Sequence, residues 1–306
     1  MACCWGFVPQ VAAGKPGKSS MFDQVVFAGG GVRCTWQIGF WESVADRVRL
    51  RPKIVSAVSA GAMVSSLILM GKSLDAVEYF AEVFEENGGN IHWGNLFRKG
   101  PLFPHHHIYR NGMRRLFEGG FERLRAATEL RIAVSHSPQW LNGPLALIIG
   151  AGIDYSDTFL TRALHPNTAR RLGYRQSFYS VRDCSNVVEL QKLILSSSCT
   201  PPFTPRQQHR GAEVLDGGIV DSVPVAGLDP GPSRVLILLT RNYPQYPSCF
   251  TCQKGEQLWT YVQPSRPLPV SVWDFSNPRG LWQAFDAGYA DGEAFLAAHS
   301  PEGSAK

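Results

Sequence analysis

The chain has 306 residues, 44% hydrophobic and 18% charged, the balance of a globular protein with room for one large domain or two small ones. Its formal net charge of +5 is too mild to point to nucleic acid, though it suits an anionic membrane surface. No apolar run approaches the roughly 20 residues that a spanning helix needs.

Residues 1–20, with Gly14, Pro16, Gly17, Ser19 and Ser20, read as a flexible arm ahead of a single domain over 21–306. The arm lacks a basic region before an apolar stretch, so no secretory signal is read there. Seven cysteines without scaffold spacing favour a reducing, cytoplasmic setting. Cys3 and Cys4 are either acylation sites or incidental thiols. From Met21 onward strand-like and helix-like segments alternate. Gln24–Ala28 is a strand that empties into Gly29-Gly30-Gly31-Val32-Arg33. A helix follows through Trp36, Ile38, Phe40, Trp41 and Val44, then a β-branched strand, Lys53–Val58. Ala60–Met70 reads as a buried helix, and Leu74, Val77, Phe80, Ala81 and Phe84 recur at helical spacing.

Asn87-Gly88-Gly89-Asn90 closes that helix, and an aromatic, basic stretch broken by Pro and Gly runs on to Pro104. The region of about 87–138 is read either as a cap or lid that meets lipid or as a packing segment. Within it Tyr109, Met113, Leu116 and Phe117 mark an amphipathic helix. Further strands are expected over Arg131–Ser135, Leu145–Ile149, Ser177–Val181 and Arg234–Leu239, with helices over Val187–Leu195 and Leu281–Ala298. Such alternation argues for an α/β fold with a mostly parallel sheet covered on both faces, whose sites form at the carboxyl ends of strands.

Ala57-Val58-Ser59-Ala60-Gly61 has the form of a nucleophile turn, with small residues two before and two after the serine. A serine hydroxyl needs a neighbouring base and presentation clear of its own backbone, and a sharp strand-to-helix turn supplies the second. The glycine loop offers unobstructed N–H donors for an oxyanion. Other uses of these glycines fit less well. Gly29, Gly31 and Cys34 fail a dinucleotide fingerprint at its last position, and Val58 and Ser59 stand where its acidic residue belongs. Gly17-Lys18-Ser19 resembles the end of a phosphate loop, yet Ala12 replaces the first glycine and no strand precedes it. A plain tight turn remains the alternative.

The base is harder to find. His105, His106 and His107 open a surface-like helix, His92 and His209 fall in loops, and His299 lies in the tail. Tandem histidines rarely aim together at a metal. Cys249-x-x-Cys252 is a lone pair, without the second pair a zinc site needs. Asp216 is more telling: Val214 and Leu215 are strand-like, and Gly217-Gly218 turn the chain so that the carboxylate ends a strand. A partly desolvated aspartate can take a serine proton directly. An Asp-Gly turn is the other reading.

Gly29-Gly30-Gly31-Val32-Arg33, Ala57-Val58-Ser59-Ala60-Gly61 and Asp216-Gly217-Gly218, in this order, resemble the patatin-like phospholipase family. The interval of 157 residues between Ser59 and Asp216 is similar too. So are the stretch Ser196–Phe203 and Val220–Val225, and the likeness runs from about Val25 to Val225. The resemblance implies a three-layer α/β/α fold with a Ser59–Asp216 dyad and no cofactor or obligatory metal. It implies an oxyanion hole from Gly29, Gly30, Gly31 and Ala60, and a role for Arg33 in shaping the loop or attracting a phosphate. The implied activity is hydrolysis of carboxylic esters of lipids (phospholipid or lysophospholipid, then acylglycerol) at a membrane or lipid-droplet surface. The enzyme would be cytoplasmic, with peripheral membrane contact. Ala57 departs from the family, where glycine is usual; one methyl there is sterically tolerable, at the expense of a tighter turn and a slower enzyme. Two alternatives stand beside this reading: a catalytically weak lipid-binding relative, and an α/β-hydrolase using a histidine such as His299.

Overall fold

Two runs without an exposed residue form the middle of the sheet. β1 (Gln24–Phe27) and β2 (Ile54–Val58) are buried along their whole length, as parallel strands covered on both faces must be. They pair in parallel, Val25 opposite Val55 and Phe27 opposite Ala57. The structure is a computed structural model that describes residues 20–96, 102–138, 163–201 and 203–299. The expected arm, save Ser20, and the expected strand Leu145–Ile149 lie outside those residues.

Between β1 and β2 runs α1 (Thr35–Val44), entered through a 3-10 turn over Gly31–Cys34. α2 (Ala60–Met70) follows β2 directly, with ten of its eleven residues buried, and ends at Gly71 in the left-handed region. α3 (Ser73–Asn87) is amphipathic, burying Ala76, Val77, Phe80, Ala81 and Phe84, and stops at left-handed Gly88. α4 (His105–Leu116) and α5 (Phe121–Ala127) lead into β3 (Glu129–His136), which pairs in parallel with β2.

β3 is scaffold within the sheet, beside β2. Met113, Phe117 and Leu124 just before it are fully buried. Beyond lie α6 (Thr168–Arg171), β4 (Arg175–Ser180), α7 (Val187–Ser197), β5 (Gln207–His209), β6 (Ala212–Asp216) and β7 (Ser233–Leu238). β8 (Cys249–Lys254), β9 (Gln257–Val262) and α8 (Pro278–His299) complete the described chain.

Among the described residues the sheet order is β5–β6–β3–β2–β1–β7–β9–β8, with β4 also on β3. β3, β2, β1, β7 and β9 run parallel. β4, β6 and β8 are antiparallel to their neighbours. Val25 and Phe27 face a core shared with α1, α2, α3 and α8, and Val26 faces one built from Val223, Ile237, Tyr243 and Tyr261. The result is a three-layer α/β/α fold with a mostly parallel sheet. The β8–β9 hairpin is a structural addition to the sequence reading. It places Cys249 and Cys252 three positions apart on one strand, hence on opposite faces and unable to share a ligand.

Candidate active site

Ser59 sits between the last residue of β2 and the first of α2 with φ 53° and ψ −130°. Such a backbone costs a non-glycine residue about 1–3 kcal/mol and persists only where its surroundings hold it. Two contacts do so. The Ser59 N–H donates to Ser197 Oγ at 2.8 Å, and Ser197 in turn donates to the Ala133 carbonyl at 2.6 Å. Ser197, on α7, is fully buried, so this bridge ties the turn to β3 in a dry setting. Gly61 lies against the carbonyls of Phe27 and Ala28, where a Cβ has no room. Ala57, by contrast, is fully buried within β2, and the turn forms with its methyl in place.

The Ser59 hydroxyl donates to Asp216 Oδ2 at 2.7 Å. β6 runs antiparallel to β3, with Asp216 opposite Val134, so the aspartate arrives at the carboxyl edge of the parallel strands. Its other oxygen, Oδ1, accepts the Gly218 N–H at 2.7 Å, and its own N–H donates to the Cys199 carbonyl. The turn after it is pinned by Ser135 and Gln176, both donating to the Gly217 carbonyl. The carboxylate is therefore fixed with one oxygen turned to the serine.

The glycine loop after β1 flanks the same spot. Gly29 donates its N–H to the Ser222 carbonyl at 2.9 Å, so it is committed to the fold and leaves the oxyanion set expected from the sequence. The amides of Gly30, Gly31 and Ala60 have no partner among the described residues. Gly31 is at φ 57° and its missing Cβ position is filled by the Val272 carbonyl, which makes glycine obligatory there. Thr240, just past β7, donates to the Gly29 carbonyl at 2.6 Å and packs on Gly30. Arg33 donates through Nε to the Val270 carbonyl.

Ser59, Asp216 and the loop open into a cavity of about 520 Å³. Its walls are apolar over most of their length, with Met63, Val64 and Leu67 from α2 and Val77, Phe80 and Phe84 from α3. α4 adds two polar side chains, His105 and Tyr109. His105, expected on a surface, is 3% exposed, lines the cavity and donates from Nε2 to the Trp273 carbonyl. Burial is the main cause that pulls its pKa below the ordinary imidazole range. Tyr109 pairs with Ser198, and burial pushes its phenol pKa well up. Burial likewise pushes up the pKa of the Cys34 thiol, which also lines the wall, and so disfavours its thiolate.

No histidine among the described residues is hydrogen-bonded to the Ser59 hydroxyl, which donates to Asp216. His299 contacts the Phe295 carbonyl on α8, and His165 bridges Asp221 and Tyr261. Among the described residues no group of His, Cys, Asp and Glu is placed to hold a metal ion. No helix among them is long and apolar enough to cross a membrane.

A mostly parallel sheet between helical layers, with the Ser59 turn and Asp216 meeting at its carboxyl edge, places the chain among α/β proteins. More particularly, it belongs to the patatin-like phospholipase family, whose model matches residues 25–229. Similar solved structures include VipD from Legionella pneumophila, 12% identical, covering 91% of this chain and 67% of that one at a TM-score of 0.42. Human GIVD cytosolic phospholipase A2 is 10% identical, with 90% of this chain and 62% of that one covered at a TM-score of 0.40. This chain thus spans about two thirds of the length of those proteins. No curated protein matches its sequence.

Proposed function

We propose that the protein is a serine acyl hydrolase of lipid carboxylic esters, acting on phospholipid or lysophospholipid before acylglycerol. The observation that carries this reading is the 2.7 Å hydrogen bond from Ser59 Oγ to Asp216 Oδ2 at the mouth of an apolar cavity. Ser59 Oγ attacks the ester carbonyl carbon while its proton passes to Asp216. The N–H groups of Gly30, Gly31 and Ala60 receive the negative charge that develops on the carbonyl oxygen, aided by the positive end of α2. As the carbon–oxygen bond to the alcohol breaks, Asp216 returns the proton to the departing oxygen. Water then attacks the acyl-enzyme, giving its proton to Asp216, and Ser59 leaves as the hydroxyl re-forms with that proton. The Gly218 N–H on Oδ1 keeps Oδ2 as the oxygen that exchanges protons. The acyl chain lies along α2 and α3, where burial of apolar surface contributes about 25 cal/mol per Å².

The test is turnover of lysophospholipid and monoacylglycerol by wild type, Ser59→Ala and Asp216→Asn, with fluorophosphonate labelling alongside. Both variants are expected to lose about 10⁴-fold in kcat, and Ser59→Ala to lose labelling entirely. Equal turnover by wild type and Ser59→Ala sinks the reading.

A further inference from the structure

Two arginines, Arg33 and Arg241, stand at the cavity beside the glycine loop, Gly29–Gly31. Arg241 follows Thr240, whose hydroxyl grips the Gly29 carbonyl, so it stands at the carboxyl end of β7 next to the glycine loop. Arg33 is tethered only through Nε, to the Val270 carbonyl, and its two terminal NH₂ groups make no hydrogen bond among the described residues. Arg241 has neither a hydrogen-bond nor an ion-pair partner among them. The only carboxylate among the lining residues described is Asp216, which is engaged by Ser59 and Gly218. Burial lowers the Arg33 pKa and the charge of Arg241 lowers it further, so the two guanidiniums are near enough to repel. Two neighbouring guanidiniums with no carboxylate hydrogen-bonded or ion-paired to either among the described residues offer free N–H donors to an anion.

We infer that Arg33 and Arg241 form a two-arginine clamp for a phosphomonoester, and that Arg241 makes the enzyme prefer acyl esters of glycerol phosphate to neutral or zwitterionic lipids. This rests on the hydrolase reading for its acyl half. A phosphomonoester carries about −1.5 to −2 charge at pH 7, which matches two guanidiniums. A phosphodiester carries one negative charge, and in a choline lipid a cation follows it. Planar guanidiniums also meet three free phosphate oxygens bidentately, which an esterified head group allows less well.

The experiment compares kcat/KM for 1-acylglycerol 3-phosphate, 1-acylglycerophosphocholine and 1-acylglycerol, presented in one non-ionic detergent at fixed ionic strength. Wild type is expected to favour the phosphomonoester over the neutral ester by roughly tenfold or more. Arg241→Gln is expected to cut that ratio by about tenfold, and Arg241→Lys to hold an intermediate ratio, because a charge without the planar fork recovers part of the contact. Inorganic phosphate and glycerol 3-phosphate are titrated against hydrolysis of the neutral ester, and inhibition that weakens in Arg241→Gln supports the clamp. A ratio unchanged by Arg241→Gln overturns the inference. Inhibition by free phosphate without any preference among the lipids overturns the head-group assignment and leaves a free-anion site. If no ester is turned over above the Ser59→Ala level, the hydrolase reading has failed instead. The clamp is then read by calorimetric titration of glycerol 3-phosphate, where equal heats in wild type and Arg241→Gln reject it.

Discussion

At the scale of single residues, the site depends on a serine held in an unfavourable backbone conformation. The hydrogen bond from the Ser59 N–H to buried Ser197 is the contact best placed to hold it there. Removing the acceptor leaves a buried N–H unsatisfied, at a cost of about 1–3 kcal/mol. Relaxation of that turn moves Oγ away from Asp216. Ser197→Ala is therefore expected to lower kcat by roughly 10- to 100-fold with KM changed less than about twofold, since misplacing a reacting group by about 1 Å costs on the order of 10². Steady-state kinetics on a soluble ester, with the melting temperature measured in parallel, checks this. A variant that melts earlier yet keeps its kcat at low temperature would assign Ser197 a structural role alone. Ser59, Asp216, Gly30 and Gly31 were legible because each lies inside a short motif whose local geometry demands those residue types. Ser197, Arg241 and His105 were not. Ser197 reaches Ser59 across 138 residues of sequence, and only the order of strands makes them neighbours. His105 reads as surface in a His-His-His run, yet the helix turns one of the three inward.

Among elements, the pairing of α1 with α8 bears most directly on the site, because α1 grows straight out of the glycine loop. The two helices approach so closely that Gly39 abuts the Phe285 carbonyl, Gly288 the Trp36 carbonyl and Gly292 the Ser43 side chain. Trp36 Nε1 adds a hydrogen bond to Asp291 at 2.8 Å. A side chain at Gly288 has to push the helices apart, and overpacking of this kind costs about 1–3 kcal/mol. Gly288→Val is expected to lower the unfolding free energy by that amount, shifting the urea midpoint down, and to reduce kcat, as α1 carries Gly30 and Gly31 with it. Gly94→Ala serves as the comparison, since a Cβ there meets nothing within 4 Å. Urea denaturation of both variants decides the matter, and equal midpoints would show that the crossing tolerates a wider spacing. The amphipathic tail was readable as a helix from its apolar spacing. Its glycines were not readable as a contact surface, because nothing local distinguishes a packed glycine from a weak helix position. The β8–β9 hairpin is silent in the sequence for a related reason. An edge strand such as Cys249–Lys254, with Thr251, Gln253 and Lys254 exposed, has too little apolar pattern to declare itself.

On the scale of the whole molecule, the parallel strands bring the nucleophile turn and both arginines to one edge, antiparallel β6 brings the aspartate turn to it, and the helices behind them leave a long apolar space. Alternating strand and helix signals disclose that layout. They do not disclose the cavity, whose walls come from α2, α3, α4 and the segment around Trp273. Its depth follows from α2. Leu67 lies seven residues beyond Ala60, so roughly 10 Å of helix separates it from the serine turn. Leu67 is fully buried and lines the cavity, and Val77 and Phe80 face the same space from α3. A larger side chain at Leu67 shortens the space available to an acyl chain without touching Ser59, Asp216 or the donor amides. Leu67→Trp is expected to leave hydrolysis of a butyryl ester within about threefold of wild type. The kcat/KM for a palmitoyl ester is expected to fall by 10-fold or more, since each methylene denied burial forfeits about 0.8 kcal/mol. A matched series of butyryl, octanoyl, lauroyl and palmitoyl esters of one alcohol measures it, with circular dichroism to verify folding. The break should fall at intermediate length, because short acyl groups end before the obstruction and long ones cannot pass it. A uniform loss across the series would mean that the substitution disturbs α2 and with it the serine turn. An unchanged series would place the acyl chain outside this cavity altogether.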